Sequence, residues 1–276
     1  MKLGPSVLRP VIHKGRATED LVTTEEPMEI ELVHTDGKHW RETSLAVTMR
    51  TPGDDFELAA GFLFTEGVIT AKEDIELIEH CPLHGSEQEY NVVKVRLREG
   101  VRFEEERLHR HFYPTSSCGV CGKTSLEAVR SQFPPLPAWE GAKVSTAVLH
   151  GIPAKLREGQ ATFAKTGGLH AAAMFTASGD RVVIREDVGR HNALDKILGE
   201  RFMAGKLPLH EAIVAVSGRA SFELIQKSLA AGAPILAAMG AASSLAVDLS
   251  NEYGMTLIGF LRPEGFTVYS GTDRVR

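Results

Sequence analysis

Cysteine is scarce in this chain, with only three among 276 residues. The number is odd, and two of the three stand in one Cys-x-x-Cys unit, so a secreted disulfide framework is excluded. A reducing, cytoplasmic setting with thiol or metal chemistry is expected instead. Positive charge is not in excess. Lys and Arg total 31 against 36 Asp and Glu, a net charge of -5, which argues against nucleic-acid binding through a broad basic surface. A local basic pocket for one anionic small molecule remains allowed. Long apolar runs are also missing. The longest low-charge stretch, Leu229 to Val247, is broken by Gly232, Pro234, Gly240 and Ser243-Ser244, and so reads as a buried strand between helices rather than a membrane span. Met1-Lys2-Leu3-Gly4-Pro5 leads into polar residues with no apolar core of a signal peptide. No internal repeat or low-complexity tract occurs.

What is present is an ordinary soluble composition, 43% hydrophobic and 24% charged, in a chain long enough to bury a substantial core. Apolar and charged residues alternate over Met28–Val33 and again over Ser44–Met49, with Asp36-Gly37 between them, which predicts a hairpin. Thr51-Pro52-Gly53-Asp54-Asp55 opens a helix with Phe56, Leu58, Ala59, Phe62 and Leu63 as its apolar stripe, and Gly67 stops it. Asn91–Leu97 reads as a further strand, so this part is α+β. From His109 to Pro137 periodicity fails: a loop rich in small residues, a short helix through Leu126, Val129 and Phe133, then a Pro-rich connector.

Beyond Val144 the pattern is alternating α/β. Strands are expected over His170–Phe175 and Arg181–Ile184, joined by Ser178-Gly179-Asp180. A helix follows over Asn192–Met203, then strand Ala212–Val216, helix Phe222–Ala230, strand Pro234–Ala238, helix Ser243–Asn251 and strand Thr256–Phe260. Such spacing predicts βαβ units and a mostly parallel sheet. Ligands of such sheets lie beyond the carboxyl ends of the strands, here at Ser217-Gly218-Arg219, Gly240 and Arg262.

The pair Cys118-Gly119-Val120-Cys121 supports half a metal site, dithiol/disulfide cycling, or sulfur carriage as a persulfide. All three need thiolates, and Lys123 with the following helix start favours them. Cys81 and His84 form a Cys-x-x-His pair that could complete a zinc site with Cys118 and Cys121. Incidental thiols in a turn are the plain alternative. A thioredoxin-like site fits poorly, because that motif normally follows a first strand. Gly122-Lys123-Thr124 is not a P-loop, since Ser117 stands where that motif needs glycine and no strand leads in.

Three further segments concentrate polar or small residues. Gly167-Gly168 bends the chain directly before His170, either as a plain turn or for close backbone approach to a ligand. Glu186 to Lys196 gathers Asp187, Arg190, His191 and Asn192 at a helix start. Asn192 could cap that helix and Arg190 could pair with Asp187, or the group could recognise an anion or heterocycle. Ser217-Gly218-Arg219 precedes a helix whose first N–H groups suit a phosphate, with Ser221 as its cap and Glu223 in its first turn.

Taken together these segments resemble the FdhD family of sulfurtransferases that assist formate dehydrogenase maturation. The matching runs are Thr51-Pro-Gly-Asp-Asp-Phe-Glu-Leu-Ala-Ala-Gly-Phe-Leu, Ser116-Ser-Cys-Gly-Val-Cys-Gly-Lys, Thr166-Gly-Gly-Leu-His-Ala-Ala-Ala, Glu186-Asp-Val-Gly-Arg-His-Asn-Ala-Leu-Asp-Lys, Ser217-Gly-Arg-Ala-Ser-Phe-Glu and Ser243-Ser-Leu-Ala-Val. They span nearly the whole chain. The resemblance implies a homodimer and an α/β fold: a cytidine-deaminase-like three-layer α/β/α domain with a smaller N-terminal α+β domain. The boundary is placed between residues 112 and 113, and a mobile Cys-x-x-Cys loop at about 113–123 opens the second part.

The resemblance also implies an enzyme that accepts sulfur from a cysteine desulfurase and passes it to the molybdenum cofactor in its bis(molybdopterin guanine dinucleotide) form, for formate dehydrogenase. Cys118 would carry the persulfide and Cys121 would assist. The family's cofactor-binding stretch falls on Phe260, Leu261, Arg262, Pro263, Glu264 and Gly265. Gly167, Gly168, His170, Arg190, His191, Asn192, Ser217 and Arg219 are further candidates, with Arg190, Arg219 and Arg262 assigned to the pyrophosphates. No resident metal, nucleic acid or membrane partner is expected. A structural zinc protein and a non-catalytic cofactor chaperone are the competing readings. Deaminase chemistry is not expected: His170 is followed by Ala171-Ala172 with no carboxylate, and the cysteine pair precedes it.

Overall fold

The computed structural model describes residues 4–81, 90–101, 103, 136 and 143–276. Alternation in β3 (Glu26–Thr35) turns Met28, Ile30 and Leu32 inward, and β4 (Trp40–Arg50) returns antiparallel to it. With β5 (Ile75–His80) and β6 (Val92–Leu97) they form a sheet of order β4-β3-β6-β5, in which β3 and β6 run parallel. Helix α1 (Asp55–Thr65) lays Leu58, Ala59 and Leu63 against this sheet. Its start is fixed by a buried ion pair, Arg50 Nε to Asp55 Oδ1 at 3.1 Å. Gly67, at φ 72°, follows its end. Before this sheet, β1 (Ser6–His13) and β2 (Arg16–Thr23) form a separate hairpin that the sequence reading had not anticipated.

Helix α2 (Thr146–Glu158), capped by Ser145, was also not anticipated. Leu149, Ile152 and Leu156 recur on one face, but Pro153 sits inside it and removes a backbone donor. After the short α3 (Phe163–Thr166) come β7 (His170–Phe175), β8 (Arg181–Asp187), α4 (Arg190–Met203), β9 (Ile213–Val216), α5 (Phe222–Ala230), β10 (Ile235–Ala238), α6 (Ser244–Glu252), β11 (Thr256–Arg262) and β12 (Gly265–Ser270). The second sheet has the order β12-β11-β10-β9-β7-β8. It is mixed, which corrects the expectation of a mostly parallel sheet. The β9/β10 and β10/β11 pairs are parallel, but β7/β8, β7/β9 and β11/β12 are antiparallel. The reason is connection length: β7 and β8 are joined by a tight turn, as are β11 and β12, and a parallel pair needs a longer crossover.

Strand alternation divides the core in two. Ala171, Ala173 and Phe175 face α2, together with Ile213, Ala215, Ile235 and Ala237. Ala172, Met174, Val214, Val216 and Leu236 face the helices on the opposite side, which contribute Leu194, Ile197, Leu224, Ile225 and Leu249. The result is helix, sheet and helix in three layers. Helix α4 begins at Gly189 as its N-cap rather than at Asn192. The expected boundary at 112/113 and the helix through Leu126, Val129 and Phe133 lie outside the described residues.

The two sheets meet through α1 and α4. A Cβ on Gly61 would sit 1.9 Å from the backbone oxygen of Asp195, and one on Gly199 would sit 1.9 Å from that of Glu57. Backbone therefore touches backbone at this crossing. Two buried lysines flank it. Lys196 pairs with Asp187 at 2.8 Å and donates to the Thr51 carbonyl at 3.0 Å. Lys227 pairs with Asp195 at 3.0 Å and Glu66 at 3.1 Å, and donates to Thr65 Oγ1. Gly61→Ala should destabilise the fold by about 2 kcal/mol or more through overpacking, although alanine ordinarily favours a helix. Gly151→Ala in α2, with open space at its Cβ, should instead gain about 0.5–1 kcal/mol. Urea unfolding of both variants checks the contrast.

Candidate functional site

Strands β9, β10 and β11 run parallel and end on one rim. Because β7 runs antiparallel to β9, its first residue, His170, reaches the same rim. There the Ala171 N–H donates to Ser217 Oγ at 2.9 Å, and Ser217 Oγ lies 3.5 Å from His170 Nδ1. The ladder continues past the strands: Met239 N–H donates to the Val216 carbonyl, Gly240 N–H to that of Gly218, and Phe260 N–H to that of Gly240, each at 2.9 Å. Gly240 is required by this closeness, since a Cβ would come within 2.9 Å of the Arg219 backbone.

Two cavities open on the rim. One of about 700 Å³ is lined by Pro153, Leu156, Arg157, Gln160, Phe163, Gly167, Gly168, Leu169, His170, Ser217, Met239 and Arg262. The other, about 290 Å³, shares His170, Ser217, Met239 and Arg262 with it and adds Arg190, Gly218, Arg219 and Gly240. A cleft of this size suits a small-molecule ligand. Four arginines face it and no aspartate or glutamate lines either cavity. The acids nearest in sequence are engaged elsewhere: Asp187 with Lys196, and Glu223 with His191 at 2.7 Å. Arg190 Nε is buried with no hydrogen-bond partner. Arg262 Nη1 is anchored on the carbonyls of Met239, at 2.6 Å, and Leu261, at 2.8 Å, which presents the rest of the guanidinium outward. Positive charge without a counter-charge, at strand ends beside the start of α5, is an anion site in physical terms.

The candidates separate into two groups. Gly167, Gly168, His170, Arg190, Ser217, Arg219 and Arg262 converge on the cleft. The others do not line it. Asn192 donates to the Met49 carbonyl at 2.8 Å and to Asp187 Oδ1 at 3.0 Å, and accepts from Thr48 Oγ1, so it ties the first sheet to the second part. It is not the α4 cap, and Arg190 does not pair with Asp187, whose partner is Lys196. His191 bridges Ser221 and Glu223 at the start of α5. There His191 holds the Glu223 carboxyl below the usual range. Ser221 is the α5 N-cap residue, but its side chain makes no cap hydrogen bond. Leu261 is fully buried. Phe260 is exposed with φ 52° at a bulge of β11. Pro263 and Glu264 form the exposed β11–β12 turn, which Gly265 closes. Cys118, Cys121 and His84 lie outside the described residues. Cys81, at the end of β5, is a free thiol. Among the described residues no group of three or more His, Cys, Asp or Glu side chains could hold a metal, and no helix is long and apolar enough to cross a membrane.

Arg157, Gln160, Phe163 and Met239 were missed as candidates. The three-residue spacing of the first three, directly after the Leu149-Ile152-Leu156 stripe, is the signal that could have found them.

A family model described as FdhD/NarQ matches residues 24–276. The chain belongs to the FdhD/NarQ family. It is 49% identical over 261 residues to the sulfur carrier protein FdhD of Mycolicibacterium paratuberculosis, covering 94% of this chain and 93% of that one. It is 51% identical over 260 residues to the sulfur carrier protein FdhD of Streptomyces coelicolor, covering 93% and 89%. A crystal structure from Desulfotalea psychrophila, described as a formate dehydrogenase accessory protein, superposes with a TM-score of 0.75 at 26% identity over 99% of this chain and all of that one. The mixed α/β architecture with several sheets is therefore shared with that accessory protein.

Within the cleft, burial and then the neighbouring Arg190 and His191 hold the His170 imidazole below its ordinary pKa, so it is neutral at pH 7. Its protonation is unfavourable in the folded state, so its effect on stability is absent above the unfolded-state pKa and appears as a loss when pH falls below it. Proton-detected titration of His170 should show a midpoint below the usual histidine value. In Arg190→Gln the midpoint should rise only part of the way back, because burial is the larger cause.

Proposed function

We propose that this chain is a sulfur carrier for formate dehydrogenase maturation, working through a persulfide on Cys118. The observation that carries the reading is the arginine-lined cleft without acids, in a chain about half identical to proteins named sulfur carriers over nearly its whole length. The donor is a cysteine desulfurase. The Cys118 thiolate attacks the terminal sulfur of the desulfurase persulfide, the S–S bond there breaks, and the desulfurase thiolate leaves. A persulfide is more acidic than a thiol and is ionised at neutral pH. The Cys121 thiolate then attacks the Cys118 sulfur. A Cys118–Cys121 disulfide forms, hydrosulfide is released toward the molybdenum of the cargo, and a dithiol reductant restores both cysteines.

The cargo in this reading is the bis(molybdopterin guanine dinucleotide) molybdenum cofactor, bound as substrate. The residues fit its anionic portion: Arg190 and Arg219 have no carboxylate partner among the described residues, and Arg262 is held by backbone carbonyls alone. Guanidinium forks match pyrophosphate oxygens in pairs. Ser217 and the α5 start add hydrogen-bond donors. Neutral His170 accepts or donates one hydrogen bond without adding charge. The working form is a cytoplasmic homodimer. We read the larger domain as cytidine-deaminase-like on its sheet order, β8-β7-β9-β10-β11, with β7 antiparallel to its neighbours.

Incubating the chain with a cysteine desulfurase and cysteine, then weighing it intact, tests the relay. Wild type should gain one sulfur atom and lose it to a reductant, and Cys118→Ala should gain none. A sulfur adduct retained in Cys118→Ala overturns the assignment, as does its absence from wild type.

A further inference from the structure

Two carboxylates lie within the field of the polar residues of the cleft, Asp187 near His170 and Glu223 near Arg190. They are held very differently. Asp187 is saturated. Its Oδ1 accepts from the Gly189 N–H at 2.8 Å and the Asn192 amide at 3.0 Å, and its Oδ2 takes the Thr51 N–H at 3.1 Å and the Lys196 ammonium at 2.8 Å. The carboxylate of Glu223, in the first turn of α5, has one hydrogen-bond partner among the described residues: His191, whose Nε2 lies 2.7 Å from Glu223 Oε2. The same nitrogen lies 3.3 Å from Ser221 Oγ, so the N-cap hydroxyl of α5 is turned to His191 rather than to its own helix.

Three cations act on the Glu223 carboxyl. The His191 hydrogen bond is the largest cause that holds it below its usual range, against partial burial, and the charges of His191, Lys227 and Arg190 follow. Lys227 is committed to Asp195 at 3.0 Å and Glu66 at 3.1 Å. Arg190 is not committed: its Nε is buried with no hydrogen-bond partner, and the residue lines the smaller cavity. Without the imidazole, Arg190 is the uncommitted cation left to Glu223, and guanidinium and carboxylate form strong pairs. Such a pair would compete directly with an incoming anion.

We propose that His191 is a positioning residue which, by holding Glu223, keeps the Arg190 guanidinium open to the anion. It acts through Glu223 and does not touch the ligand, in keeping with its absence from the lining of both cavities. The side chains of the pair are 28% and 36% exposed, so its strength is modest and its loss costs affinity rather than the fold. This role rests on the reading of the cleft as an anion site.

Calorimetric binding of inorganic pyrophosphate to the full chain tests it. Wild type should bind, and His191→Ala should weaken binding about fivefold. Adding Glu223→Gln to His191→Ala should restore affinity to within about twofold of wild type, because the freed carboxylate is then gone. A purely structural clasp predicts the reverse, since the double variant has lost both halves of the pair. In an Arg190→Gln background, His191→Ala should cost nothing further. His191→Gln, alone and with Glu223→Gln, repeats the series if His191→Ala loses its folded circular dichroism. The role is wrong if His191→Ala binds as wild type does, if the double variant stays as weak as the single one, or if His191→Ala weakens binding equally in the Arg190→Gln background. Failure of wild type to bind pyrophosphate refutes the anion cleft itself, and the role of His191 falls with it.

Discussion

The contact on which everything else depends is the crossing of α1 and α4 at Gly61 and Gly199, where the two helix backbones touch. No side chain larger than hydrogen fits there, so the approach is fixed by main chain alone. The cost of bringing Lys196 and Lys227 out of water beside it is offset by full pairing: Lys196 with Asp187 and the Thr51 carbonyl, Lys227 with Asp195, Glu66 and Thr65. A buried charge is tolerable only when its partners are in place. Burial works against the charge on Lys227, but Asp195 and Glu66 outweigh it and raise its pKa. The seam between the two sheets is therefore specific. The observed register of α1 on α4 pairs both buried lysines.

That seam also explains why some residues which look like ligand binders in the sequence are structural. The run from Glu186 to Lys196 concentrates acids, a histidine, an arginine and an amide. Asp187, Asn192 and Lys196 belong to the junction with Thr48, Met49 and Thr51, whereas Arg190 faces the cleft. A helix beginning at Arg190 sends residues on opposite sides to different tasks, and proximity in sequence does not reveal which. Local composition singled out the segment but could not sort its residues.

Much of the fold was legible. The hairpin of β3 and β4, helix α1 with its Gly67 stop, and the succession from β9 to β11 carry strong period-2 and period-3.6 patterns. The β1–β2 hairpin was not legible, because its exposed strands lack a buried alternating face. Strand β12 was hidden because the Phe260–Gly265 stretch reads as a terminal ligand segment rather than as the turn of a hairpin. A mostly parallel sheet was expected for a similar reason: antiparallel pairing is a property of connections, not of residues. The anion cleft was legible in part. Strand-end positions at Ser217, Arg219 and Arg262 follow from where ligands sit on such sheets, but Arg157, Gln160 and Phe163 belong to a helix interrupted by Pro153, which weakened the pattern that would have exposed them.

Consecutive residues of β8 perform two separate fastenings. Glu186 clasps the backbone of α3, and Asp187 clasps Thr51 and Lys196 at the junction with the first sheet. Neighbours on a strand point to opposite faces, so a slip of a single position would exchange their targets. The wall of the cleft and the union of the two halves are thus clamped by one dipeptide. An insertion or deletion of one residue within β8 would therefore undo both fastenings at once.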